Sequence, residues 1–155
     1  MIDRFKTVFE GKVVAPYTTD TIGYTKGYKY QSSYDYRCKT EIRAPQRLET
    51  KFIELRPDGW LFIKAGYAWD GPSGPTIDTK NFMRGSKEHD AFYQLMRLNL
   101  LSPKWRKAAD KRLYNICRAD GMSRFRAWYV LYCVRKGAGY AADPKNRKKI
   151  IYAPK

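Results

Sequence analysis

The sequence predicts an α+β fold: an N-terminal antiparallel β region with a hairpin, followed by three packed C-terminal helices. Three observations carry that expectation. Up to about residue 68 the apolar residues alternate between turn residues, with Pro57-Asp58-Gly59 in their midst. Beyond about residue 84 the apolar period becomes that of a helix. The chain has 155 residues, enough to bury a continuous core as a single domain without disulfides or metal.

Element by element, Arg4 to Ala15 alternates weakly and suits a short strand pair turning at Gly11. Residues 17–36 bring Tyr17, Tyr24, Tyr28, Tyr30, Tyr34 and Tyr36 among Thr, Ser, Gly and Lys, which fits half-buried strands or an aromatic surface for stacking bases. Leu48 to Leu55 reads as a strand, Arg56 to Gly59 as a turn and Trp60 to Ala68 as the returning strand. Residues 1–68 are thus β-rich, and 66–78 is a Gly/Pro loop. The three-helix part covers 84–137. Ser86 is the expected N-cap of a first helix reaching about Asn99. Ser102-Pro103 starts a second, with Trp105, Ala109, Leu113 and Ile116 as its buried stripe and Gly121 as its stop. Ser123 opens a third, in which Phe125, Trp128, Leu131 and Val134 carry the stripe and Gly137 ends it. The tail, 144–155, is basic and reads as irregular.

Composition narrows the classes. Hydrophobic residues make up 43% of the chain and 24 residues are aromatic, which excludes a disordered polymer. No apolar run reaches the roughly 18 residues of a transmembrane helix. The first residues lack the apolar stretch of a signal peptide, so synthesis in a cytoplasm is expected. Cys38, Cys117 and Cys133 form no CxxC pair, and with His89 as the only histidine a zinc site is not expected. The formal charge is +16, and residues 103–155 hold 15 basic against 3 acidic side chains. Such a field suits anionic lipid, nucleic acid or an acidic partner, or serves solubility alone. Arg106, Lys107, Lys111, Arg112 and Arg118, off the second helix's stripe, are expected to point outward and, with Arg147, Lys148 and Lys149, to form a basic surface.

Two segments hold the candidate chemistry. The loop Gly66 to Asp78 is dense in Gly and Pro; it is either a structural crossover or a set of carbonyls able to bind a hard cation. In Glu88-His89-Asp90-Ala91-Phe92-Tyr93, His89 and Tyr93 share a helix face. A lone helical His is more often structural than catalytic. Asp110 changes that balance, because a short turn at 100–102 would pack the first two helices antiparallel and bring Asp110 to the His89 face.

These motifs carry two resemblances. Trp69-Asp70-Gly71-Pro72-Ser73-Gly74-Pro75, then His89-Asp90-Ala91-Phe92-Tyr93, Ala109-Asp110 and a Tyr-rich helix ending at Gly137 resemble a family of small proteins of unknown function carried by tailed phages, prophages and bacteria. That resemblance covers residues 60–140 and implies synthesis in a host cytoplasm, with association with a virion or a host protein as a role. More distantly, a Gly-rich loop, His-Asp-x-x-Tyr and Ala-Asp are similar to the phospholipase A2 superfamily, in particular its viral-capsid form. That similarity implies a calcium-dependent ester hydrolase. His89 would be the base and Asp110 its orienting carboxylate. Asp90, with carbonyls around Trp69, Gly71 and Gly74, would bind Ca²⁺, and Tyr93 would brace the site; Asp70, which has no counterpart in that superfamily, is a further supporting candidate in the loop. Three function classes follow: a His/Asp, metal-assisted hydrolase acting on anionic lipid, a non-enzymatic phage virion or host-interaction protein, and a nucleic-acid-binding protein using its basic C-terminal third.

Overall fold

The computed structural model describes residues 22–24, 28–71 and 77–153. The expected strand pair within Arg4–Ala15 lies outside them, as do Tyr17 and Gly74. The chain divides into two compact units, Met1–Lys26 with Lys148–Lys155, and Gly27–Arg147. In the first, strand β1 (Ile22–Tyr24) pairs antiparallel with the last strand of the chain, Ile151–Ala153, so the tail is not irregular throughout.

The second unit is α+β. Strands β2 (Tyr30–Gln31), β3 (Tyr36–Lys39), β4 (Leu48–Glu49), β5 (Ile53–Leu55), β6 (Trp60–Ile63) and β7 (Ala68–Trp69) precede helices α1 (Lys80–Arg97), α2 (Arg106–Ala119), α3 (Arg124–Gly137) and the one-turn α4 (Gly139–Ala142). Four strands form an antiparallel sheet in the order β3-β6-β5-β4, and β2 pairs with β7. The turn at Arg56–Gly59 is where the sequence puts it: the Gly59 amide donates to the Arg56 carbonyl at 2.9 Å, and Gly59 has φ +90°. A side chain there would strike the Thr40 carbonyl, since an added Cβ would lie 2.4 Å from its oxygen.

Three elements differ from expectation. Leu48–Leu55 is not one strand but a hairpin, Leu48 opposite Leu55 and Glu49 opposite Glu54. The Thr50 hydroxyl accepts the Ile53 amide at 2.9 Å and turns the chain. Trp60–Ala68 also breaks, after Ile63, and its end becomes β7. Helix α1 starts six residues before Ser86, after Thr79 in extended conformation. Ser86 lies inside the helix, buried, with its hydroxyl donating to the Met83 carbonyl at 3.0 Å.

The core has two parts. Ile42, Leu48, Ile53, Leu55, Leu61 and Ile63 from the sheet region pack against Ala91, Phe92, Leu95 and Met96 of α1. Phe82, Leu113, Cys117, Met122, Ala127 and Val130 join the three helices. The α2 stripe is as expected at Ala109, Leu113 and Ile116, which are buried, while Trp105 precedes the helix and is half-buried. That of α3 holds only in part: Val134 packs against this core, but Phe125 is 77% and Trp128 54% exposed, while the small Ala127 and Val130 face inward. The interhelical space admits small side chains, so the large rings turn to solvent and pack against one another, Phe125–Trp128 tilted and Trp128–Tyr132 stacked, with centroids 6.1 and 5.9 Å apart. A direct test compares two phenylalanines. Phe92→Ala should cost about 3–5 kcal/mol in urea unfolding, and Phe125→Ala should stay within about 0.5 kcal/mol; similar losses for both would contradict the placement of α3.

Candidate functional site

Helices α1 and α2 run antiparallel, because their contacts climb in opposite directions. Tyr93 and His89 meet Asp110, Glu88 meets Arg112, and Arg84 meets Asp120. Asn99, in left-handed conformation at φ 58°, helps reverse the chain between them. Asp110 has no solvent exposure. Its Oδ1 accepts from His89 Nε2 at 2.9 Å and from the Tyr93 hydroxyl at 2.7 Å. The His89 and Tyr93 rings, one helical turn apart, lie 4.1 Å between centroids.

A carboxylate only accepts hydrogen bonds, so His89 Nε2 carries hydrogen and the neutral ring keeps its lone pair on Nδ1. Nδ1 is 3.9 Å from Asp90 Oδ1, beyond a direct hydrogen bond. Burial alone would lower the His89 pKa, but hydrogen bonds and charge from Asp110 and Asp90 outweigh it and push the ring above its ordinary value. Burial raises Asp90, against the opposing effects of His89 and of the Asp70 backbone amide. Burial and the bond to Asp110 together raise Tyr93, so its hydroxyl remains a donor.

His89, Asp90, Tyr93, Trp69, Asp70 and Gly71 line a cavity of about 560 Å³. Its size is typical of small-molecule sites. The floor is one face of α1 from Phe82 to Arg97; α3 and α4 form one wall and residues 67–71 another. Trp69 is buried, and its indole nitrogen donates to the Ser86 hydroxyl at 3.2 Å.

Of the expected cation site, Trp69, Asp70, Gly71 and Asp90 are described, and each has other contacts or reasons for its place. The Trp69 carbonyl accepts the Lys29 amide at 3.0 Å in the β2–β7 ladder. Gly71 has φ +77°, and a Cβ there would come within 2.5 Å of the Tyr30 ring, which explains the glycine without a ligand. The loop meets Asp90 with the Asp70 amide, a donor where a cation needs a carbonyl. Among the described residues no group of three or more His, Cys, Asp or Glu side chains is placed to hold a metal. Among the described residues, these groups fall short of the six to eight oxygens that Ca²⁺ takes.

The basic surface also needs correction. Arg112 turns inward, with Nε 2.6 Å from Glu88 Oε2 and Nη1 3.3 Å from Glu41. Glu88 is only 1% exposed and the Tyr36 hydroxyl donates to it as well, so a buried acid demands the arginine. Arg118 folds back to donate to the Met122 carbonyl, and Arg106 is half-buried. Lys107, Lys111, Arg147 and Lys149 are exposed, and Lys148 is half-buried. The Glu88–Arg112 pair and the cavity residues Tyr67 and Arg97 are absent from the sequence reading; neither spacing nor motif marks them.

No protein-family model matches this chain, and no curated protein or solved structure does.

The His89–Asp110 pair has a pH signature. A raised folded-state pKa means that the stabilisation is full below the unfolded value of about 6.5 and is lost as pH rises through the folded value. Asp110→Asn should therefore lower unfolding free energy by about 1–3 kcal/mol at pH 5.5 and by clearly less at pH 8.5. An equal loss at both pH values in urea titrations would contradict the charged pair.

Proposed function

We propose that this chain is a hydrolase in which His89 is the general base, acting on an ester bound in the α1 cavity. The observation that carries the reading is the 2.9 Å contact between His89 Nε2 and a fully buried Asp110, at the lining of a cavity. Asp110 fixes the ring's tautomer and compensates the imidazolium that forms when the ring takes a proton. A water within hydrogen-bond reach of both His89 Nδ1 and Asp90 Oδ1 gives its proton to Nδ1 and attacks the ester carbonyl; the tetrahedral intermediate then collapses, its C–O bond to the alcohol breaks, and Nδ1 returns the proton to the leaving alkoxide. Asp90 orients that water, Tyr93 braces Asp110, and the aromatic walls limit competing solvent. The same pairing of His, carboxylate and tyrosine is what the similarity to phospholipase A2 implies; calcium has no part in these steps.

The test is hydrolysis of chromogenic alkanoate esters. His89→Ala should lower kcat/KM by about 10² or more, and Asp110→Asn should lower it too. Because the base works when neutral and its pKa is raised, wild-type activity should climb with pH through a midpoint above about 6.5. Hydrolysis unchanged in His89→Ala would contradict the reading.

A second reading is favoured by a different observation. Phe125, Trp128, Tyr129 and Tyr132 are exposed along α3, beside the exposed Arg124, Arg135 and Lys136. Aromatic faces among cations suit stacking of single-stranded bases. If this surface binds an oligonucleotide, affinity should fall steeply with salt and Trp128→Ala should weaken it by about 1–3 kcal/mol. Salt-insensitive or unaltered binding in fluorescence anisotropy would contradict it.

A further inference from the structure

The cavity has two chemically different ends. It follows α1 from Phe82 to Arg97, about 22 Å at the helical rise. His89 lies between, about 10 Å from Phe82 and about 12 Å from Arg97 along the axis. Near Phe82 the lining is apolar, with Leu113 of α2 and Val130 and Val134 of α3. Near Arg97 it is polar, with Tyr67, Gln94, Tyr140 and, from α3, Lys136, while the acids Asp70 and Asp90 line the part nearer His89 and Tyr67.

Arg97 is the telling residue. It is half-buried, and its hydrogen bond is from Nη1 to the Ala141 carbonyl at 2.8 Å. None of the ion pairs among the described residues includes it. Arg112, also half-buried, is matched by two glutamates, and of the half-buried arginines outside the ion pairs Arg97 is the one that lines the cavity. A partly desolvated guanidinium without a carboxylate keeps unused donors in a planar fork, which fits an oxyanion.

We propose that Arg97 is the anion-reading residue of the cavity, and that its ligand is a single-chain amphiphile with a carboxylate or phosphate head. The head pairs with the Arg97 fork, and the chain extends along α1 towards Phe82, Leu113 and Val130. A scissile carbonyl between head and tail then lies at His89. That last placement rests on the hydrolase reading, whereas the anion site itself does not.

The test is calorimetric titration of the full chain with decyl phosphate, decanoate and neutral decyl glucoside, each below its micelle concentration. The two anions should bind one-to-one and at least tenfold tighter than the glucoside, and the tighter of them identifies the head group. Arg97→Gln should abolish that preference, and Arg97→Lys should keep part of it. Arg147→Gln, at an exposed position, should keep all of it, which separates a site from the general charge of +16. His89→Ala should still bind. Equal affinity for glucoside and anions in wild type, no binding of either anion, or an intact preference in Arg97→Gln would overturn the proposal. Anion binding without hydrolysis of matching esters would instead contradict the hydrolase reading alone. Hydrolysis without head-group preference would do the reverse.

Discussion

A carboxylate sealed between two helices must be met by donors or lose its charge, and Asp110 is such a group. His89 and Tyr93 meet it from the facing helix. Its other oxygen, also buried, has no hydrogen-bond partner among the described residues. The site's negative charge is therefore answered chiefly at His89, which is why a buried imidazole is pushed upward when burial alone would lower it. The register of α1 on α2 follows from the same contact. One helical slip would strand a charge in the core, at a cost of several kcal/mol.

The neighbouring acid repeats the constraint with a different solution. Glu88 precedes His89 and points towards β3 and α2, where Tyr36 and Arg112 hold it. Burial and the Glu88 charge push the Cys38 thiol up to about 12, which removes it as a nucleophile. Successive residues of one helix turn thus do different work: Glu88 ties α1 to the sheet, His89 to α2, and Asp90 faces the cavity. The structural acid and the cavity acid point different ways because consecutive helical residues are about 100° apart.

Much of this was legible in the sequence, and the failures have physical causes. The α2 stripe and the Pro57–Gly59 turn follow from local chemistry, and the short 100–102 connection placed Asp110 opposite His89. The α3 stripe misled because helical spacing shows that Phe125 and Trp128 share a face, not whether that face is buried. Ala127 and Val130 decide the matter, through the room available beside Phe82 and Leu113. Ser86 looked like a cap because hydroxyls bond backbone at helix starts, yet one inside a helix finds a carbonyl three residues back. The β2–β7 pair joins residues almost 40 apart in sequence, and it turned expected loop carbonyls into ladder acceptors. Arg112 and Arg97 could not be told from surface cations, since their difference lies in what the rest of the fold brings to them.

His89 is the chain's one histidine, so its ring gives a single assignable signal in a pH titration by nuclear magnetic resonance. The buried pair predicts a midpoint above about 6.5, a neutral form with hydrogen on Nε2, and a downward shift of the midpoint in Asp110→Asn. A midpoint at or below the ordinary value, a neutral ring protonated on Nδ1, or a titration indifferent to Asp110→Asn would contradict the account.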